Sequence, residues 1–385
     1  MSVRQSHPAS HALPTGRDAA AWGVADLEQD RGWIQHLDAE DRAELLTGLR
    51  AGLASRDASG LTPAEGAAGS KHLLFWRRSD FPFGARVLER LAAALHEAQH
   101  RRGIALIKAL PRDALSVAEF ELLIWAIGLH LGVARPQDKL TRYINAVKDV
   151  GVDYRSPTGR GYSSKSDLEF HVDSGDAVLL GCYNQAPIGG ESLCSSSVLA
   201  WRQLLTERPD LARVLASESV PFSRQGEQAE GEDPWLLTRV FAYLGDDMYC
   251  AWNRNRIHQG FKLEGAPAAS AALREAVDLL DAILRRPAHL FRMMLEPGDL
   301  QILSNHTTLH SRTAFEDHPD EARKRILFRL WLSTPDGPAL PRGWAAKWGT
   351  EERGYVRGGM RGHHYDEDCL AFERRQAGEM GLRLL

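Results

Sequence analysis

Four stretches of this chain place a histidine two residues before an aspartate: His36-Leu37-Asp38, His171-Val172-Asp173, His318-Pro319-Asp320 and His364-Tyr365-Asp366. On a strand, residues i and i+2 share a face, so the triplet sets an imidazole beside a carboxylate. That pair is two-thirds of a facial metal site. Context separates the four. His36 and Asp38 stand at the entry to a predicted helix, where Asp38 reads as a cap. Pro319 makes the third triplet poor strand material, and the fourth lies in a Gly/Arg-rich tail. Only His171 and Asp173 close a strand-like run, "DLEFHVD", just before a Ser-Gly-Asp turn.

A third ligand has to come from elsewhere. The segment 295–315, "LEPGDLQILSNHTTLHSRTAF", runs through a Pro-Gly-Asp turn and a strand into a loop carrying His306 and His310. Fifteen residues beyond His310 comes Arg325, and Arg329 follows four later within "RKRILFRLWLS". If that run is a strand, the two arginines share a face, and inward-pointing guanidinium groups are costly without anions to meet them. Asp167, four before His171, and Arg312, two after His310, are further candidates for the wall of the site. The plainer readings are an exposed aspartate and a partner for Glu316. Tyr143 and Trp252 read as core aromatics, and "EQAEGED" (227–233) as a solvated loop long enough to act as a lid.

The elements that must hold these residues change character along the chain. Residues 25–100 read as mostly helical: "DAEDRAELLTGLRAGLAS" and "GARVLERLAAALHEAQHRRG" carry apolar residues at helical spacing. "IALIKAL" is a short strand, and "SVAEFELLIWAIGLHLG" a helix with Ser116 as N-cap, Glu119 completing a capping box and Gly132 as its end. Beyond Gly132 come short β-prone runs separated by Gly, Pro, Asn and Asp clusters, from "LTRYINAV" to "RILFRLWLS". Helical inserts interrupt them at "SVLAWRQLLTERPDLARVLAS" and "SAALREAVDLLDAILRR". Many short strands at regular spacing predict a barrel or jelly roll, not a parallel α/β sheet. The expected organisation is a flexible leader over 1–24 and one catalytic domain over 25–385. That domain divides into the helical region, a β core over 101–335 and a tail over 336–385.

Bulk properties exclude several classes. The 385 residues are 43% hydrophobic and 25% charged, with a net charge of −4 and both signs interspersed. Nothing here forms a basic footprint for nucleic acid or an anionic membrane. No apolar run reaches the roughly 18–20 residues that span a bilayer, and the N-terminus has no signal-peptide core. Cys182, Cys194, Cys250 and Cys369 form no C-x-x-C pair, so reduced, mostly buried thiols in a cytoplasmic protein are expected. No phosphate-cradling glycine motif occurs.

The ordered set H-x-D, then Gly189-Gly190-Glu191-Ser192, then P-G-D-x-x-x-x-x-N-x-x-x-x-H-x-R, then R-x-x-x-R resembles the taurine dioxygenase and clavaminate synthase family, over about residues 100–335. The resemblance implies a double-stranded β-helix, a jelly roll of the cupin type and mainly β with flanking helices (α+β). It implies a non-haem oxygenase using Fe(II), 2-oxoglutarate and O2. Carried over by position, His171, Asp173 and His310 are the iron ligands, Asn305 being the family's asparagine ahead of the distal histidine. His306 is then left as a loop residue near the mouth. Arg325 matches the arginine that forks onto the distal carboxylate of 2-oxoglutarate, Ser192 takes the place of a threonine hydroxyl on the same co-substrate, and Arg329 matches the arginine that often grips an acidic group of the primary substrate, an internal salt bridge being its other reading.

Family members that halogenate have a small residue in place of Asp173. The implied reaction is therefore hydroxylation, or a related desaturation or cyclisation, of a small carboxylate-bearing or amino-acid-derived molecule. Relatives often form homo-oligomers. Two other classes share parts of the pattern: a non-catalytic β-helix protein that binds a carboxylate, and a cupin-like metal-dependent hydrolase or isomerase.

Overall fold

The computed structural model describes residues 13–59, 71–151, 163–228 and 230–385. Among them, seven strands form one large sheet. Its order is Ile34–His36, Ile104–Lys108, Leu300–Ser304, Ala177–Asn184, Ile326–Ser333 and Val133–Arg135, with Ile144–Val147 also paired to Ile326–Ser333. The first pair runs parallel and the rest antiparallel. A smaller antiparallel sheet joins Phe291–Met293, Ser192–Ser196 and Thr308–Arg312. Side chains of both sheets meet in one inner core, where Val178, Leu303, Leu327 and Trp331 of the large sheet pack with Cys194 of the small one. This is the jelly roll expected from the strand spacing.

The period of two explains how each strand serves two layers. Along Ile326–Ser333, Leu327 and Trp331 point into the inner core. Phe328, Leu330 and Leu332 point outward, under the helices Ala85–His100 and Val117–Leu131. The second of these starts as predicted: Ser116 Oγ accepts from the Glu119 amide, and the Glu119 carboxylate accepts from the Ser116 amide at 2.8 Å. It ends at Gly132, whose Cβ position lies 2.5 Å from the Ser333 carbonyl oxygen, so only glycine lets helix and sheet approach this closely. On the far side, Leu193 and Leu309 of the small sheet bury under the inserts Ser197–Glu207, Pro209–Ser217 and Ala271–Leu284. The first predicted insert is two helices, broken at Pro209, which lacks the amide to continue the first.

Two expectations change, and the place of the tail becomes clear. The flexible leader does not extend to residue 24. Trp201 Nε1 donates to the Pro14 carbonyl, Arg202 donates to the Thr15 and Gly16 carbonyls, and Trp22 is buried. Residues 1–12 lie outside the described residues. "DLEFHVD" is extended but not a ladder strand, with His171 making isolated β-bridges to His310 and Asn253. The tail is part of the body. Its helix Glu367–Met380 puts Phe372 and Cys369 into the outer core, and Trp344 and Trp348 are fully buried. No helix among the described residues is long and apolar enough to cross a membrane. All four cysteines are free and buried.

Candidate active site

Of the four H-x-D triplets, three cap local structure. Asp38 accepts from the amides of Glu40 and Asp41, Asp320 from Ala322 and Asp366 from Cys369. The remaining pair, His171 and Asp173, meets His310, and potential ligand atoms of the three lie within 4.8 Å of one another. The bridge between His171 and His310, with hydrogen bonds of 3.0 Å in both directions, aligns the imidazoles. Their ring centroids are 4.3 Å apart. His171 Nδ1 is 2.8 Å from the Glu169 carbonyl; donation there leaves the Nε2 lone pair for an ion. Burial, with His310 alongside, lowers the His171 pKa to about 3, so the ring is neutral.

Asp173 is buried, with Oδ2 unbonded at 3.5 Å from His310 Nε2. Burial alone pushes its carboxyl up. Arg329, His310 and His171 outweigh that and hold it below the usual carboxylate range. Its amide donates to Asn305 Oδ1 at 2.9 Å, which fixes the loop. Two neutral imidazoles and an ionised carboxylate with an unbonded oxygen fit a divalent metal such as Fe(II), held on one face.

A pocket opens beside this trio, lined by His171, Ser192, His310, Arg312, Arg325 and Arg329 among others. Strand register puts the polar residues there: Ser192 lies opposite Arg312, and Cys194 opposite His310. Arg325 is 5% exposed, lies over the Phe315 ring, and has an Nη1 without a hydrogen bond. Burial lowers its pKa to about 10, and no carboxylate among the described residues forms an ion pair with it. Ser192 Oγ donates to Gln301 Oε1 at 3.1 Å.

Arg329 is engaged internally: Nη1 is 3.4 Å from Asp173 Oδ1 and Nε donates to Gln137 Oε1 at 2.9 Å. Arg312 donates to the Ser164 and Ser166 carbonyls, tying down the segment that leads to His171. Asp167 is exposed and outside the pocket lining, within electrostatic reach of Arg285.

His306 lies in the turn between Leu300–Ser304 and Thr308–Arg312, as expected, but not at the mouth of the pocket. It is buried, with Nε2 3.0 Å from Asp176 and its ring against Trp348. The acidic loop is not wholly solvated either: Glu227 is buried and ion-paired to Arg256 at 2.9 Å, while Ala229 lies outside the described residues. Gln137 and Asp176 escaped the sequence reading. Asp176, three residues past Asp173, carried a signal in its spacing; Gln137 carried none.

The model of the "Taurine catabolism dioxygenase TauD, TfdA family" matches residues 60–331. FR-33289 synthase of Streptomyces rubellomurinus is 30% identical over 344 residues, 87% of this chain and 95% of that protein. Taurine hydroxylase-like protein SAT17 of Stachybotrys chartarum is 29% identical over 180 residues, 44% of this chain and 43% of that one. Among solved structures, asparagine oxygenase with Fe(II), 3-hydroxyasparagine and succinate has a TM-score of 0.58 at 18% identity, covering 78% of this chain and 94% of its own. The non-haem iron oxygenase OrfP with Fe and α-ketoglutaric acid has a TM-score of 0.56 at 16% identity, with coverage of 78% and 94%. With the family model spanning well over half of its length, the chain belongs to the TauD/TfdA family of Fe(II)- and 2-oxoglutarate-dependent dioxygenases.

Proposed function

We propose that the protein hydroxylates an unactivated C–H bond of a small carboxylate-bearing or amino-acid-derived molecule, with 2-oxoglutarate converted to succinate and CO2. The observation that carries this reading is the buried Arg325 guanidinium, without a carboxylate partner among the described residues, in the same pocket as the His171–Asp173–His310 trio. A planar fork of donors in a buried pocket suits the distal carboxylate of 2-oxoglutarate, and Ser192, which lines the same pocket, would add a hydroxyl. His171, Asp173 and His310 would hold the iron, which when bound supplies the redox chemistry that couples O2 and 2-oxoglutarate to C–H oxidation. Arg329 and Asn305 keep Asp173 ionised and aimed, and Arg312 fixes the segment leading to His171. Because Asp173 fills the third ligand position, hydroxylation is favoured over halogenation. The amino-acid class draws support from asparagine oxygenase and OrfP, similar in fold and solved with hydroxylated asparagine and arginine.

Succinate release by the Fe(II)-loaded protein, with 2-oxoglutarate and O2, tests this across amino acids and small carboxylates. One or more compounds should raise succinate well above background and gain a hydroxyl by mass. His310→Ala should abolish both signals. Stimulated succinate with chlorinated or ring-closed product and no hydroxylation would sink the proposal.

A further inference from the structure

A second cavity, of about 300 Å³, lies between the tail and the jelly roll. Its wall at Gly358–Met360 rests on the metal-site loop, where the Gly359 amide donates to the carbonyl of Ser174, the residue after Asp173. The buried arginines here all have carboxylates. Arg135 pairs with Glu373 at 2.7 Å, Arg256 with Glu227 at 2.9 Å and Arg357 with Asp176 at 2.7 Å.

Lys347 is the exception. It sits on the short helix Ala345–Trp348, beyond the end of the family match at residue 331, and is 9% exposed. Its Nζ lies 4.6 Å from the Phe222 ring centroid and 5.0 Å from that of Trp348. Among the described residues, no hydrogen bond or ion pair meets its Nζ. Two aromatic faces stabilise a cation modestly but do not neutralise it. Burial and the nearby Arg256 push its pKa down to about 7, and Asp173 is near enough for its charge to act on the ammonium. An unpaired buried cation destabilises a fold and calls for an anion that arrives with a ligand.

We propose that Lys347 is a substrate-binding residue that takes an oxyanion group of the primary substrate, a carboxylate, sulfonate or phosphate, on the tail side of the metal centre. This rests on the oxygenase reading above and gives its substrate a second anchor, distinct from the Arg325 pocket. It also supplies the anion contact that Arg329, engaged with Asp173 and Gln137, was expected to make.

The test is calorimetric titration of the anaerobic Fe(II) enzyme with 2-oxoglutarate saturating, so that the Arg325 pocket is already filled. Acetate, methanesulfonate and methyl phosphate serve as probes. At least one should bind the native chain, with affinity at least tenfold weaker in Lys347→Met and largely kept in Lys347→Arg. Lys262→Met, an exposed lysine, is the control and should bind like the native chain. Thermal unfolding separates binding from structure. Removing an uncompensated buried charge should leave the Lys347→Met midpoint unchanged or raised, whereas a lysine holding the fold together would lower it. Equal binding to native and Lys347→Met proteins, or no probe binding at all, overturns the assignment. If a probe binds through Lys347 but no acid stimulates succinate release, the oxyanion site stands and the hydroxylation reading fails.

Discussion

A guanidinium taken out of water is a costly group unless something anionic meets it when the site is at work. At Arg325 this sets the size of a first prediction. Replacing it by leucine removes a pair of charge-assisted hydrogen bonds worth about 1.5–3 kcal/mol each. The KM for 2-oxoglutarate should therefore rise by roughly two orders of magnitude or more, at about 1.4 kcal/mol per tenfold. Arg325→Lys should restore only part of this, because a point charge cannot fork onto a carboxylate. A 2-oxoglutarate KM unchanged in Arg325→Leu would remove the residue from co-substrate binding. At this scale the sequence was readable where chemistry and spacing coincide. His171, Asp173, His310 and Arg325 stand in an ordered pattern that the three other H-x-D triplets do not share. It was unreadable where a role depends on what the fold brings near. Lys347 looks like any helical lysine until Phe222, 125 positions earlier, is seen against it. Gln137 owes its place beside Arg329 to a contact 192 residues apart.

The elements divide along the same line. The capping box at Ser116 and the alternation of Ile326–Ser333 are local, and both were legible. The extended run ending at His171 was misread as a ladder strand because its bridges go to His310 and Asn253, at distances that pattern cannot report. What holds that run in place is the turn after it. Asp173 leads into Ser174-Gly175-Asp176, and Gly175 presses on Ile326–Ser333: its Cβ position lies 3.0 Å from the Leu332 carbonyl oxygen and 3.3 Å from Trp331 Cβ. Backbone on that side cannot yield as a side-chain tip would. Gly175→Val should therefore lift the turn from the strand, costing about 1–3 kcal/mol of stability as overpacking does, and displace Asp173 from the two histidines. Iron titration of the folded variant should show affinity weakened by at least tenfold. Native iron affinity in Gly175→Val would show that the turn does not position the ligand.

At the scale of the molecule, the tail after residue 340 packs on both the outer core and the loop that carries Asp173. Its role had no local signature, since its buried groups find partners far back in the chain: Arg357 meets Asp176, Glu373 meets Arg135, and Trp348 meets His306. One of these ties is the buried ion pair of Arg357 with Asp176. Asp176 also receives the Thr334 amide at 3.0 Å and faces His306 at 3.0 Å, all fully enclosed. Burial pushes the Asp176 carboxyl up, but Arg357 and His306 outweigh it and hold it below the usual range. Arg357→Met leaves that carboxylate enclosed without its cation, a loss of about 3–5 kcal/mol. Over 385 residues, an unfolding entropy of about 2.1 cal/mol/K per residue turns this into a fall in Tm of roughly 4–6 °C. The sign with pH follows from the depressed native value. The stabilisation is present in full above the carboxylate range and is lost as pH falls through the native pKa of Asp176, so the gap between native and variant Tm should be widest near neutrality and close in acid. Thermal unfolding at a series of pH values checks both statements. A gap independent of pH would mean that Arg357 acts through packing alone, and that the tail is held to the metal-site loop by something other than this buried charge pair.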